Sequence, residues 1–507
     1  MQEKIAGDRY WLLVTRCWLL ATRHSLFATR FHSRFFRTIG YTDACCRLAQ
    51  HSGHGFEGVH GFPMSTSTTP APELTLRRIA QTWWPLAFSW LLMSVEGPAH
   101  SAIAARLANP EINLAAWGGI VFPLALIIEA PIIMLLPAST ALSKDWDAYV
   151  KVRRVMMVMS AFLTAVHVAI AFTPLYDFIA RNLIGAPEVT IEPGRIGMMI
   201  MIPWTWAIAY RRTQQGLMIR FGHPKAVGVG TIIRLSANGI VLLAGYLART
   251  LPGIVVASSA VAVGVVAEAV YAGLRVRPIV RHQLRLAPRA GTPLTLRVFL
   301  DFYVPLALTS LISLLVQPIG SATMSRLPRA LDSLAVWPVL SGLLFMLRSG
   351  GIAYKEAVIS LLDAPRATRS LRRFTGILAT GGTALLVLIA VTPLSRLWFG
   401  DVMALPPALM DLGQRGLIAG LFFPAIATLD SWFQGVLMHH RRTRGITEGV
   451  VLYTVAIAVS MGVGIILDRL GVHVIGVHVA VVAFQIAWAL QVGWLWKRST
   501  EIGSGAA

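Results

Sequence analysis

Apolar residues in this chain gather into runs of about 18 residues or more, separated by short basic stretches. A run of that length is what a helix needs to cross the hydrocarbon layer. Read this way, twelve spans fall at roughly 80–106, 112–137, 152–173, 195–219, 226–248, 253–275, 298–326, 332–354, 371–392, 412–438, 446–467 and 473–496. The pattern predicts an all-α polytopic membrane protein. The mean hydropathy of +0.63, with charged residues held to 14%, points the same way and excludes a string of soluble domains.

The pattern also repeats. "TLRRIAQTWWPLAFSWLL" starts at Thr75 and "TLRVFLDFYVPLALTSLI" at Thr295. Pro85 then matches Pro305, Pro98 matches Pro318, Ser101 matches Ser321, and Arg106-Leu107 matches Arg326-Leu327. Leu114-Ala115-x-Trp117 matches Leu334-Ala335-x-Trp337. After a one-residue slip, Thr173-Pro174-Leu175 matches Thr392-Pro393-Leu394, and Gln215-Gly216 matches Gln434-Gly435. A shift of about 220 residues, held this long, is the mark of a duplicated transporter half. Six spans per half, an even number, give the halves the same orientation, so they form parallel repeats about an axis along the membrane normal. The expected organisation is an N-terminal extension (1–74), an N-lobe (75–277), a basic linker (278–294), a C-lobe (295–498) and a tail (499–507).

The net charge of +21 would suggest nucleic acid in a soluble protein. Here loop placement accounts for it. Loops after even-numbered spans, with the ends of the chain from Met64 on, carry roughly 24 Lys and Arg, against roughly 9 in the other loops. Lys144, Lys151, Arg153 and Arg154 lie in one such loop, Arg366, Arg369, Arg372 and Arg373 around its counterpart, and Arg441, Arg442 and Arg444 in another. Both termini are expected in the cytoplasm, with the protein in the cell inner (plasma) membrane. The three cysteines, Cys17, Cys45 and Cys46, all precede Met64, so thiol chemistry plays no part in the twelve spans. Residues 1–63 fit an Arg-rich targeting segment, a surface amphipathic helix, or sequence upstream of a true start at Met64. The abrupt change of composition at Met64 favours the last. No Walker-type loop, metal-spaced Cys/His set or nucleophile elbow occurs in the sequence, so no catalytic residue and no cofactor is expected.

A charge at membrane depth is costly, so it faces a cavity or a partner. The candidates are Glu96, Glu129, Arg211, Arg212, Arg234, Glu268, Asp301, Arg348 and Asp430. In the fourth span Arg211, Gln214 and Gln215 share a helix face continued by Trp204 and Ala207, with Arg212 about 100° away. Such a stripe suits a wet cleft between the halves, although Arg211 could also snorkel to the headgroups. The repeat sets Arg211 on Asp430 and Glu129 beside Arg348, so if the fourth and tenth spans face each other an Arg211–Asp430 pair is expected when one side of the cleft closes. Glu96, next to Gly97-Pro98, is either an ion site at a helix break or a partner for freed backbone. Pro98 and Pro318 mark expected hinges, with a static kink as the alternative. Arg234, Glu268 and Asp301 are placed near the interfaces, and Lys355 and Glu356 on the surface. Trp83, Trp84, Trp494 and Trp496 read as interface anchors.

Two parallel six-span halves, with "WWPLAFSW" opening the first span and "IPWTWAIAYRRTQQGLMIRFGH" through the fourth, resemble the multidrug/oligosaccharidyl-lipid/polysaccharide exporter (MOP) superfamily. That superfamily includes the multidrug and toxin extrusion (MATE) proteins, and the motifs look most like its progressive ankylosis branch. The resemblance covers about Thr75 to Arg498. It implies V-shaped lobes rocking around a central cavity, coupled in the multidrug members to H+ or Na+ through cavity acids. By position Glu96 and Asp430 resemble those acids, Glu96 standing where the multidrug members usually carry Asp, and Glu129 is a further candidate for ion coupling. The ankylosis branch and the lipid-linked sugar flippases handle anions, which Arg211, Arg212 and Arg348 suit, since guanidinium groups bind phosphate and carboxylate bidentately.

The expected function is an alternating-access exporter or flippase of an anionic or phosphate-bearing small molecule or lipid-linked sugar, working as a monomer among membrane lipids, with no nucleic-acid partner. Arg211, Arg212, Gln214, Gln215, Arg348 and Asp430 are the expected substrate contacts. A proton- or sodium-coupled exporter of cationic drugs is the first alternative. A membrane-embedded enzyme acting on lipid-linked substrates is the second, and the absence of loops with clustered Asp, Glu and His argues against it.

Overall fold

The computed structural model describes residues 74–288, 293–440, 442 and 444–504. The N-terminal extension, its cysteines and Met64 lie outside the described residues. Among the described residues, nine helical segments are long and apolar enough to cross a membrane, and a tenth is a pair bent by 41°. Two more long segments, Leu76–Ala104 and Glu188–Arg220, complete the twelve expected from the sequence. These two carry Glu96 and the Arg211-Arg212 pair, and their polar content is what keeps them below the apolarity of the others.

In chain order the segments are α1 (Leu76–Ser94, then Glu96–Ala104), α2 (Pro110–Leu142), α3 (Trp146–Phe172), α4 (Glu188–Arg220), α5 (Pro224–Ala248) and α6 (Gly253–Leu284). The second half follows as α7 (Leu296–Leu314, then Val316–Ser325), α8 (Ala330–Leu361), α9 (Ala367–Val391), α10 (Pro407–Ala419, then Phe423–His439), α11 (Arg444–Arg469) and α12 (Gly476–Ser504). We call the end holding Thr75 and Thr295 the base and the opposite end the crown. The halves start alike: Thr75 and Thr295 are N-caps whose hydroxyls accept from the backbone N–H three residues on, at 3.3 Å in both. They also break alike. α1 is interrupted at Val95 and α7 at Leu315, repeat-equivalent residues one turn before Pro98 and Pro318. Each proline lacks the N–H that the carbonyl four residues earlier would accept, so the ladder opens there.

The break exchanges partners. The base half of α1 packs against α8 and α9 of the other half, with Ile79 buried among Tyr354, Val358, Leu371 and Phe374. The base half of α7 packs on α2, with Phe299, Tyr303 and Leu306 in the N-lobe core. Beyond the breaks, the crown halves gain contacts with their own lobes, α1 with α5 and α6, and α7 with α11 and α12, while α1 also keeps its contact with α8. Matching bonds tie the exchange. Trp83 Nε1 donates to the Gly350 carbonyl at 2.8 Å, and the Tyr303 hydroxyl donates to the Pro131 carbonyl.

On the repeat axis α2 crosses α8, where Gly118 meets its own equivalent, Pro338. A Cβ on Gly118 would lie 2.7 Å from Pro338 Cδ, so only glycine permits the approach. Pro98 likewise rests on Gly342. The peripheral helices α3, α5, α9 and α11 bury only 22–28% of their apolar windows, whereas α2 and α6 bury 67%. Exposed Val158, Ile240, Leu247, Val391 and Val459 therefore form a lipid-facing girdle.

Candidate functional site

Between the lobes lies a cavity of about 510 Å³, walled by α1, α2, α4, α5 and α6 on one side and α7, α8, α10 and α12 on the other. Five charged side chains line it: Glu96, Glu129, Arg211, Arg234 and Arg348.

The N-lobe charges form a chain. Glu96, at the start of the crown half of α1, accepts two bonds from Arg234 of α5, at 2.6 and 2.5 Å, and a third from Asn238 Nδ2 at 2.8 Å. Arg234 Nε reaches Glu268 of α6 at 3.3 Å. Glu268, with a side chain 1% exposed, accepts from Arg211 at 2.5 Å and from Gln215 at 2.8 Å. Glu129 is buried within electrostatic reach of Arg211, Arg212 and Arg234. Three carboxylates thus face three guanidinium groups, as buried charges require.

His100, one turn beyond Glu96, joins this chain through Asn238. Its Nδ1 lies 2.6 Å from the Glu96 carbonyl oxygen and its Nε2 lies 2.9 Å from Asn238 Oδ1. A carbonyl only accepts, so Nδ1 carries a proton. Asn238 thus bridges the His100 ring to the Glu96 carboxylate, its Oδ1 toward Nε2 and its Nδ2 donating to Glu96.

The C-lobe wall differs. Arg348 of α8 sits over the rings of Trp488, Phe345 and Phe423, with its guanidinium carbon 5.0, 5.4 and 5.8 Å from their centroids. Among the described residues it forms no ion pair, and its Nε is buried without a hydrogen-bond partner. Aromatic faces hold a cation but do not neutralise it. Asp430 stands behind Trp488, outside the cavity lining, accepting from Gln434 at 2.8 Å and Gln491 at 3.0 Å.

Several sequence expectations change here. Arg211 points inward, to Glu268 rather than to Asp430 or the headgroups. The cross-lobe pair is not made in this arrangement, where Glu268 of α6 in the same lobe supplies the counter-charge. Arg234 and Glu268, expected near interfaces, lie at the centre of the network, while Asp301 is exposed. Their signal was present in the sequence: each stands alone among small apolar residues at mid-helix. Gln214 accepts from the Tyr149 hydroxyl at 3.2 Å, away from the cavity. Glu356, expected on the surface, is buried. Lys355 turns to Gln434, at 3.4 Å. Trp83 turns inward to Gly350, whereas Trp84 and Trp496 face outward as anchors.

No family model matches the sequence, and no curated protein does. Solved structures do match. An inward-facing multidrug resistance MATE family transporter of the MOP superfamily aligns over 83% of this chain and 99% of its own, with a TM-score of 0.63 and 14% identity. The lipid II flippase MurJ, inward closed, aligns over 82% and 87%, with a TM-score of 0.63 and 16% identity. A MOP superfamily transporter from Pyrococcus furiosus aligns over 84% and 97%, at 0.54 and 14%. The finer resemblance to the progressive ankylosis branch is carried by sequence motifs alone. A twin-lobed helical bundle with a charged chamber on its repeat axis, matched along almost the whole length of these proteins, is the fold of the MATE and MOP superfamily transporters.

Proposed function

We propose that this protein is an alternating-access membrane transporter, exporter or flippase, for an anionic or phosphate-bearing small molecule or lipid-linked sugar. One observation carries the reading: Arg348 is a cavity cation with no counter-charge among the described residues. The N-lobe charges balance among themselves, so the lone guanidinium on the opposite wall leaves the chamber favourable to an anion. Guanidinium binds phosphate and carboxylate through paired bonds, and the surrounding rings suit an apolar or sugar moiety attached to them. The similarity to a lipid II flippase and to a Pyrococcus furiosus transporter described as having a binding pocket of reverse polarity is in keeping with this.

The His100–Asn238–Glu96 group is the proposed coupling site. A buried ring and a carboxylate are joined there through one amide, and their arrangement changes if α1 moves at Val95. We infer from the Lys and Arg bias of the loops that the base faces the cytoplasm, with both termini on that side, in the inner membrane. A cation exporter is the second reading, favoured only by the cavity position of Glu96; that carboxylate is occupied by Arg234.

Binding tests the proposal directly. Trp488 lies against Arg348, so its fluorescence should change on titration of detergent-purified protein with citrate, ATP or a polyprenyl phosphate. The expected result is saturable binding of at least one anion, weakened at least tenfold in Arg348→Gln, and none of ethidium. Saturable ethidium binding insensitive to Arg348→Gln would reverse the assignment.

A further inference from the structure

The crown holds a pair of arginines at equivalent places in the repeat. Arg106, just after the crown half of α1, donates to the carbonyls of Asp401 at 2.5 Å and Val402 at 2.8 Å. Both belong to the C-lobe, at the end of a π-helical turn, Leu397–Val402, between α9 and α10. Arg326, the equivalent residue after α7, donates to the carbonyls of Asn182, Leu183 and Ile184 at 3.0, 2.8 and 2.8 Å. Those belong to the N-lobe, at the end of the matching π-helical turn, Phe178–Ile184, between α3 and α4. Each arginine also holds the carbonyl four residues back, Ala102 and Ala322, at 2.8 and 2.7 Å. That bond fixes the guanidinium to its own lobe while its other donors cross to the opposite one.

The receptors are built alike. Both turns close with an N–H reaching six residues back, Ala186 to Ala180 and Leu405 to Phe399. Both end in a left-handed residue, Gly185 at φ 73° and Ala404 at φ 52°. The last carbonyls of a helical turn have no intrahelical donor and carry its negative end. A guanidinium is the side chain suited to them, since it is always charged and presents several donors in a fixed fork.

We propose that Arg106 and Arg326 form a reciprocal latch that holds the crown of the two lobes closed and is released as a unit when the crown opens. The bonds run only between lobes or within one anchoring residue's own helix end. Parting the lobes must therefore break both sets, and the repeat axis makes them break together. A latch at the crown leaves the chamber open to exchange only at the base, so its strength sets the ratio of crown-closed to crown-open protein. It acts without substrate and is independent of the anion assignment, resting only on the rocking of two lobes.

Spin labels at Glu192→Cys and Asp411→Cys, exposed and repeat-equivalent crown positions, would read the inter-lobe distance, with Cys17, Cys45 and Cys46 replaced by serine. Pulsed dipolar measurement on substrate-free protein in nanodiscs should give mainly one short distance. In the Arg106→Gln/Arg326→Gln double variant, the ratio of long to short distances should rise at least tenfold. Each single variant should move it in the same direction by a comparable, smaller factor, and Arg326→Lys should fall between. An unchanged distribution in the monodisperse double variant would overturn the latch. So would a shift produced by one arginine and not the other, since the two would then not act reciprocally. If the double variant fails to fold, the single variants decide by the same criterion.

Discussion

Glu268 should be the carboxylate on which the N-lobe charges depend most. Its side chain is 1% exposed, takes bonds from Arg211 and Gln215, and pairs with Arg234 Nε at 3.3 Å. In Glu268→Gln the shape survives and the charge is lost. Arg234 keeps Glu96, but Arg211, with a side chain 10% exposed, loses the carboxylate it touches. Removing one partner of a buried pair costs about 3–5 kcal/mol. The lower figure applies here, because Arg211 also feels Glu129. Arg211→Met should cost less, about 1.5–3 kcal/mol for charged hydrogen bonds, since Glu268 retains Arg234 and Gln215. The double variant removes both charges and leaves the Arg234–Glu96 pair whole, so the losses should not add. A coupling of about 2 kcal/mol is expected, within the range for residues in direct contact. Unfolding by SDS in mixed micelles, for wild type, both singles and the double, measures it. The same cycle on Arg211 and Asp430 should give no coupling in the crown-closed state. Additivity within about 0.5 kcal/mol for Arg211 and Glu268 would refute the reasoning.

Gly118→Leu should jam the crossing of α2 over α8, because even a Cβ meets Pro338 at 2.7 Å; transport should fall at least tenfold, and normal flux would show that the contact yields. Asn238→Leu severs the link between His100 and Glu96. Flux should then lose its response to an imposed pH gradient while anion binding near Arg348 persists, and an unaltered response would remove the triad from coupling. At the crown, hydrogen bonds from Arg195 and Arg181 hold Asp177 and Glu188 below the usual carboxylate range. Lowered values stabilise the folded protein above the unfolded carboxylate pKa of about 4 and are lost as pH falls below it. Glu188 is exposed and Asp177 half-buried at the surface, so the melting temperature should dip only slightly on acidification below about pH 5. The dip should shrink in high salt and vanish in Asp177→Asn/Glu188→Gln; a dip of equal size in that variant would place its origin elsewhere.

Hydrophobic run length and the repeat disclosed the twelve helices, because both are properties of sequence order. Even the breaks at Val95 and Leu315 were foreshadowed by Pro98 and Pro318. The exchange of the base halves of α1 and α7 was not legible, since periodicity shows which face is apolar but not which lobe covers it. Charges were legible as singular residues and not as pairs. Arg211 was found by its stripe with Gln214 and Gln215, yet its partner Glu268 sits 57 residues on, and only packing of α4 on α6 brings the two together. The repeat suggested Asp430 instead, because equivalence by symmetry is not contact. The latch arginines were visible only as a match, Arg106-Leu107 with Arg326-Leu327, whose meaning needed the opposite lobe's carbonyls.

The central claim is that a two-lobed chamber carries an anion against Arg348. Flux of citrate, ATP and ethidium into liposomes, with and without a pH gradient, for wild type and Arg348→Gln, tests it most directly. The account predicts gradient-dependent movement of an anion by the wild type, reduced at least tenfold in the variant, with ethidium excluded. Ethidium transport that survives Arg348→Gln, with no anion moved, would contradict it.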